Sequence, residues 1–299
     1  MTRIVSFLPA GTEIAYALGA GTLLVGRSHE CDYPPEVAHL PVVSRPALDL
    51  DGLSAGDMDR AVAERLQGGE SLYLVDEGLL RALSPDVILT QDLCQVCAPS
   101  GNELTRAVRD LPGSPRVVWL SPQTLEGIEE NILAVGEATG TSRAAHALII
   151  ENRERIERVR NAVAGASIRR VAFLEWLDPI FAAGHWVPEM IGLAGGHDPL
   201  GKAGAESLRV TVDAVRTGAP EIVVFAPCGY RLEQAVELGS HLPAFPGATI
   251  IAVDANAYFA RPGPRVAEGI ELLAHLFHPD RFAWPHRSRP WQVLAGYIR

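Results

Sequence analysis

Most of the signatures that announce a particular chemistry are missing from this sequence. There is no G-x-x-x-x-G-K-[ST] loop, and no G-x-G-x-x-G follows a strand-like run; "GAGTLLVG" lacks the third glycine at the right place. Both nucleotide-binding readings therefore fall away, because each needs its glycines to bring backbone N–H groups close to phosphate. The absence of a G-x-S-x-G elbow and of H-E-x-x-H argues against a serine hydrolase or a zincin. No apolar run reaches the roughly 18 residues of a membrane-spanning helix. Positive charge is also short: with 26 Lys and Arg against 36 Asp and Glu, the net charge is −10. Nothing here would neutralise a phosphate backbone, so nucleic acid is not an expected partner.

Cysteine and aromatic residues are scarce as well. The four cysteines are Cys31, Cys94, Cys97 and Cys228, and only "DLCQVC" is a C-x-x-C. A zinc ribbon would show two such pairs, and a thioredoxin-like motif would want the pair at a helix start after a strand, a placement that is open here. A chain of 299 residues and 32.1 kDa can bury a sizeable core without disulfides. Its 47% hydrophobic and 21% charged residues are those of a globular protein with room for two domains. The start, "MTRIVSFLPAGTEIAYALGAG", reads as a strand entering a helix, since Pro9, Thr12 and Glu13 interrupt its apolar residues and no basic region precedes them. As written, that gives a cytoplasmic expectation unless a leader was removed before Met1.

What the chain does contain is written twice. "LLRALSPDVILTQDLC" and "AVRTGAPEIVVFAPCGY" share a scheme of helix, proline-acid, four-residue apolar strand and polar loop, with Pro85 and Asp86 matching Pro220 and Glu221. "RVVWLSPQTLEGIEENIL" corresponds in the same way to "TIIAVDANAYFARPGPRVAEGIELL", each a β-branched strand, a loop and an amphipathic helix. The opening strands "RIVSF" and "RRVAFL" each lead towards a helix closed by glycine, in "EIAYALGAG" and "VPEMIGLAGG". Between the copies, "SRAAHALIIENRERIERVRNAVAG" carries Ala144, Leu148, Ile149, Ile156, Val159 and Val163 at helical spacing, which predicts one helix of about 25 residues ending at Gly165. The organisation expected is an N-terminal α/β lobe over 1–125, a helical spine over 126–165, a C-terminal α/β lobe over 166–285 and a tail over 286–299. Strands alternating with helices predict mostly parallel sheets in two Rossmann-like lobes.

Ligands on open α/β sheets bind at the carboxyl ends of strands. "SHECDYPP", "QDLCQVCAPSGN", "EWLDPIFAAGHW" and "DANAYFARPGPR" read as post-strand loops. Facing lobes would bring them to one cleft. The aromatics Tyr33, Trp176, Trp186, Tyr230, Tyr258 and Phe259 fall in or beside these loops and suit a large, flat, partly apolar ligand; the alternative is that half of them plug lobe interiors. Arg261 and Arg265 could fork onto a carboxylate, amide or phosphate, or Arg265 could pair locally with Glu268. His29, Cys31 and His185, with Cys94, Cys97 and Cys228, are candidate metal ligands; otherwise His29 bonds loop backbone and the thiols are small buried groups.

The order "RIVSFLPAGTEIAYALG", "LVGRSHECDYPPEV", "LSPDVILTQDLC", "YFARPGPRVAEGIELLAHLF" resembles the vitamin B12-binding proteins of ABC importers. These are class III substrate-binding proteins with a helical backbone, a fold shared with iron–siderophore, haem and metal receptors. The resemblance covers nearly the whole chain and is specific at "SFLPAGTE", "DYPP" and "FARPGPR". It implies a non-catalytic, monomeric receptor that holds a cobalamin-like corrinoid between two lobes, needs no cofactor and delivers the ligand to a permease. It implies further that Tyr33 and Arg261 contact the ring and its amides, with Trp176 and Trp186 as added walls. Glu77 (or Asp76) and Asp213 become the permease-docking acids, and the working place becomes the periplasm. The sequence departs from that pattern in showing no secretion signal and in carrying more cysteine and histidine than a corrin clamp needs. A thiol or imidazole could bind the cobalt, or a small metal could replace the corrinoid. Two rival readings stay open: a receptor for another metal chelate, with Arg27, Arg261 and Arg265 as the obvious cations, and a metal-binding protein or metalloenzyme using the Cys and His set.

Overall fold

The computed structural model describes residues 2–91, 111 and 113–296. By contact density the chain divides into two compact units: residues 1–122 with 126–150, and residues 123–125 with 151–299.

The N-terminal unit carries β1 (Ile4–Ser6), β2 (Leu24–Ser28), β3 (Val42–Pro46), β4 (Tyr73–Val75), β5 (Val87–Thr90) and β6 (Arg116–Trp119), in sheet order β4-β3-β2-β1-β5-β6. Every neighbouring pair is parallel except β3 with β4. The central strands β1 and β5 are buried at every residue, as expected where both faces of a parallel sheet are covered. Among the described residues, helices α1 (Pro9–Ala17), α2 (Ala55–Gln67) and α3 (Glu77–Leu83) lie between these strands in the chain. Val5, Phe7, Val43, Leu80, Ile88 and Leu111 form a core cluster. The chain leaves β1 towards one edge through β2 and β3, then returns to the other side through β5 and β6, so the order reverses between β1 and β5.

The C-terminal sheet has the order β10-β8-β7-β11-β12-β13. It is built from β7 (Arg169–Leu177), β8 (Ile180–Ala182), β10 (Leu208–Arg209), β11 (Ile222–Phe225), β12 (Thr249–Val253) and β13 (Trp291–Ala295), while the short β9 (Gly196–His197) pairs with β7. β7, β11 and β12 run parallel as a central trio and the short β9 pairs parallel with β7, while β8, β10 and β13 add antiparallel margins. "EWLDPIFAAGHW", expected as a loop, is instead a hairpin in which Leu177 opposes Ile180 and Leu174 opposes Ala182. Residues 286–299, set apart as a tail in the sequence, supply β13, whose Trp291 opposes Val253. Ala172, Leu174, Val215, Val223 and Phe225 lie in the core of this unit.

Helices α4 (Leu125–Thr139) and α5 (Ser142–Val163) follow β6; α5 has 22 residues and crosses the division between the units at Ile150. Its buried line is Ala145, Ile149, Asn152 and Val159, so the expected Ala144 and Leu148 are half-buried flanks of that face. The remaining helices are α6 (Val187–Leu193), α7 (Val212–Thr217), α8 (Leu232–Gly239), α9 (Ala255–Tyr258) and α10 (Val266–Phe277).

The duplication read from the sequence is carried into atomic detail. Ser84 and Ala219, each just before the matched proline, both adopt a left-handed φ of 43°. Arg3 N–H donates to Asp86 Oδ2 at 2.8 Å, and Arg170 N–H donates to Glu221 Oε2 at 2.9 Å. The matched acid thus anchors the foot of the neighbouring strand in each unit. Gly19 and Gly195, just past α1 and α6, take φ of +77° and +82°, the left-handed geometry that closes a helix.

Candidate functional site

In the N-terminal unit the loop after β2 is braced from beneath. Arg27 Nη1 donates to the carbonyls of Ser28 and Cys31, both at 3.1 Å, and more weakly to that of His29 at 3.5 Å. Arg27 therefore spends its guanidinium on the loop's own backbone, which removes it from the cations a ligand would meet. Thr12 Oγ1 donates to Cys31 Sγ at 3.1 Å, and Cys31 is buried, so this thiol is a packing group. His29 is half-buried beside Tyr73, with ring centroids 5.6 Å apart and Nε2 at 3.9 Å from Glu30 Oε1. Tyr33 sits on the crest of the loop and is 44% exposed. Trp119, the last residue of β6, is 45% exposed and was not singled out from the sequence. Its signal was there: β6 ends with the tryptophan next to the buried Val118, so side-chain alternation turns the ring off the core.

The C-terminal unit places its candidates at the carboxyl ends of β7 and β11, where the sheet order changes direction. Cys228 N–H donates to Glu175 O at 3.0 Å and ties the two strand ends together. Beside that bond the half-buried rings of Trp176 and Tyr230 lie 5.5 Å apart at 34°. Below them, Glu175 receives Gly184 N–H on Oε1 at 3.3 Å and Ser207 Oγ–H on Oε2 at 2.5 Å. The neighbouring aromatics do a different job. Trp186 is buried and its Nε1 donates to Phe259 O at 3.2 Å; Phe259 is buried edge-on to Phe173 at 5.2 Å. Tyr258 is buried against Trp284 at 6.1 Å. Trp186, Tyr258 and Phe259 thus pack this unit's interior, which is the alternative the sequence left open for half the aromatic set. Burial of an aromatic residue requires only an apolar surround, and strand-end position alone does not distinguish it from a ligand wall.

Arg261 is also buried, with Nε donating to Asn256 Oδ1 at 3.1 Å. Arg265 occupies the N-cap position of α10 and lies with its guanidinium carbon 6.0 Å from the Tyr258 ring centre, while Glu268 is contacted by Arg155 at 3.5 Å. His185 has a φ of 52°, a costly geometry for a residue with a Cβ. Two backbone bonds hold it there, His185 N–H to Ala205 O at 2.6 Å and Gly204 N–H to His185 O at 2.9 Å. Its Nε2 is buried with no hydrogen-bond partner.

Cys94 and Cys97 lie outside the described residues, and Cys228 is exposed. Among the described residues no group of three or more His, Cys, Asp or Glu is arranged to hold a metal ion. The two acids expected to dock a permease both stand on helix starts. Asp76 caps α3 through Leu79 N–H at 2.8 Å, with the exposed Glu77 next to it, and Asp213 lies in the first turn of α7 with its side chain 90% exposed.

Burial lowers the pKa of both His29 and His185 below the ordinary imidazole value of 6.5; a Ser44 backbone bond and the Glu206 charge oppose this only in part. The unfolded chain therefore takes up these protons first as pH falls. The stability contributed by the neutral rings is present above pH 6.5 and drains away below it, until the folded rings protonate too. We expect the midpoint of urea unfolding to fall between pH 7 and pH 5.5, and His29→Gln to flatten that slope. An unchanged slope in that variant would remove His29 from the account.

The sequence profile of the periplasmic binding protein family matches residues 4–241. The chain belongs to the periplasmic binding protein family. Its two sheets and long helix have the class III fold of that family. The family match spans relatives with different cargoes. The vitamin B12-binding protein of Vibrio cholerae serotype O1 is 25% identical over 280 residues, covering 91% of this chain and 87% of the relative. An uncharacterised ABC transporter substrate-binding lipoprotein of Bacillus subtilis is 25% identical over 294 residues, covering 94% and 81%. Among solved structures, a periplasmic haem-binding protein from Roseiflexus sp. RS-1 superposes with a TM-score of 0.68 at 25% identity, covering 93% of this chain and 98% of that one. Relatives of this family member are thus substrate-binding components of ABC transporters, found as periplasmic proteins or lipoproteins.

Proposed function

We propose that this family member is a non-catalytic receptor that binds a cobalamin-like corrinoid outside the cytoplasmic membrane and passes it to an ABC permease. The observation that carries the reading is the half-buried Trp176–Tyr230 pair at the switch point of the C-terminal sheet. In the C-terminal unit those rings, one near the end of β7 and one after β11, present flat apolar faces where open α/β sheets bind ligands; in the N-terminal unit the exposed Tyr33 does so on the loop after β2. The B12-binding relative supports the choice of corrinoid. Glu77 and Asp213, exposed acids at helix starts in the two halves of the duplication, are the proposed contacts for the permease.

Haem is the second reading. The haem-binding structural relative favours it, and so does His185, whose neutral imidazole could ligate iron. Calorimetric titration with cyanocobalamin, dicyanocobinamide and haem separates the two, with a metal assay on the same batch. Binding of corrinoid at micromolar concentration or below, without stoichiometric metal, supports the proposal. Binding of haem alone selects the second reading, and one zinc or non-haem iron per chain with neither corrinoid nor haem bound overturns both. Tyr33→Ala and Trp176→Ala should each weaken corrinoid binding by about 1–2 kcal/mol, roughly tenfold, because each removes an aromatic contact face. The melting temperature should hardly move, since neither ring is part of a core.

A further inference from the structure

A tryptophan left open by packing needs a reason, because few side chains contribute as much when buried. Trp119, the last residue of β6, is 45% exposed, and among the described residues no aromatic ring lies against it. The internal duplication shows the same place used for packing. "RVVWL" matches "TIIAV", so Trp119 corresponds to Ala252 in β12. Ala252 is fully buried, and the outer strand β13 sets Gln292 opposite it. In the N-terminal sheet the order ends at β6, and no described strand lies outside it. The large ring therefore stands where the covered copy has a methyl group, and the core cluster of its unit is built without it.

Trp119 shares one edge of its sheet with Tyr33. The neighbouring parallel strands β2, β1, β5 and β6 end at Ser28, Ser6, Thr90 and Trp119. Ser28, Ser6 and Thr90 are buried, and Thr90 pairs with Trp119 in the ladder. Tyr33 rides on the loop after β2. Two exposed aromatic side chains are thus carried by strands three ladder spacings apart, about 14 Å. Between them lies the β1–β5 reversal of strand order, the place where open α/β sheets take their ligands. A flat, partly apolar ligand of that breadth gains an aromatic contact at each side, whereas a compact one reaches a single ring.

We propose that Trp119 is a ligand-binding residue that sets the breadth of ligand accepted by the N-terminal unit. With Tyr33 it spans the carboxyl edge of the sheet from β2 to β6 and selects a macrocycle over a compact chelate. This rests on the reading of the chain as a corrinoid receptor and deepens it.

The test is calorimetry of the full chain, Trp119→Ala, Trp119→Phe and the double variant Trp119→Ala, Tyr33→Ala with cyanocobalamin, haem and ferrioxamine B. Support is a loss of about tenfold in cyanocobalamin affinity in Trp119→Ala, with most of it kept in Trp119→Phe, which retains a ring face. The double variant should lose about a hundredfold, because the two sites are far enough apart to act independently. Ferrioxamine B, a compact chelate, should bind at least about tenfold more weakly than cyanocobalamin. Melting temperatures should stay at the wild-type value. Cyanocobalamin affinity unchanged in Trp119→Ala overturns the span, with or without a fall in melting temperature, and leaves the corrinoid reading to Trp176 and Tyr230. Ferrioxamine B binding as tightly as cyanocobalamin overturns the selection by breadth. If cyanocobalamin does not bind at all, the corrinoid reading falls and haem, also a macrocycle, decides the span. A loss of about tenfold in haem affinity in Trp119→Ala then supports it. Unchanged haem affinity, or no haem binding, overturns it.

Discussion

Replacing Arg155 by methionine should destabilise the C-terminal unit by about 3–5 kcal/mol, because it strands a buried carboxylate. Glu271 lies inside α10 with its side chain only 4% exposed, and Arg155 reaches it from α5 with 15% exposure. The contact is a fork: Nε to Oε1 at 3.0 Å and Nη2 to Oε2 at 2.6 Å, with His286 Nε2 at 3.0 Å from Oε2. Burial pushes the Glu271 carboxyl up, but the bonds and charges of Arg155 and His286 more than offset this and hold it below its usual value of 4.5. With the folded pKa depressed, the contribution is present above the unfolded value and is lost as pH falls through the folded one. Urea unfolding at pH 7 should show the full penalty in Arg155→Met. Near pH 4 the penalty should shrink, because the stranded carboxyl can then be buried neutral. The double variant Arg155→Met, Glu271→Met should recover most of the loss, since apolar groups of similar size replace both charges. A single variant as stable as wild type would mean that the pair contributes nothing.

The fork also ties together elements that a linear reading keeps apart. Helix α5 holds Arg155, α10 holds Glu271 and the segment before β13 holds His286; that segment also brings Trp284 against Tyr258. The C-terminal stretch is thereby built into the support of the loop that follows β12, where Asp254 N–H also donates to Pro290 O at 2.9 Å.

Much of this architecture was legible because periodic burial writes itself into sequence. "VILT" and "IVVF" are central strands buried on both faces, and four consecutive apolar or β-branched residues after proline-acid leave few other structures open. The duplicated acids, the glycine-closed helices and the long α5 were read on the same basis. The β7–β8 hairpin was not legible, because Asp178-Pro179 is a turn signal and "IFA" is too short for alternation to show. The tail failed for a related reason. β13 lies at a margin of the sheet with mixed burial, and only its pairing with β12 declares it a strand.

At the site, sequence identified residue type and loop position but not direction. Tyr33 and Tyr258 are both tyrosines in strand-end segments, yet one is on a crest and the other lies under Trp284. Arg27 and Arg261 looked alike as cations, but the carbonyls around Arg27 become visible only once the loop has closed over it. Those differences are long-range packing, which no local pattern encodes.

Adding a single methyl group at Gly184 should cost about 1–3 kcal/mol or more and loosen the proposed ligand surface with it. A Cβ there would overlap Ser207 N and come within 2.6 Å of Glu206 C and 2.7 Å of Ala205 O. All three are main-chain atoms, so no side-chain rotation relieves the clash; the 205–207 segment must retreat. Retreat breaks the Ser207–Glu175 bond and the His185–Ala205 bond together, leaving Glu175 to find other partners in a half-buried place. Glu175 is next to Trp176 in β7, so the ring's position moves with it. Gly184→Ala should therefore lower both the melting temperature and corrinoid affinity, the latter by about tenfold if displaced aromatic contacts behave as hot spots. Gly192→Ala is the control, since nothing lies within 4 Å of its added Cβ and it sits in α6. There alanine should raise stability by about 0.5–1 kcal/mol, because glycine is the poorer helix former. If both substitutions leave melting and binding unchanged, the close approach at Gly184 does not constrain the Trp176–Tyr230 surface. If Gly184→Ala lowers the melting temperature while binding stays intact, Trp176 is positioned by something other than the Glu175 junction.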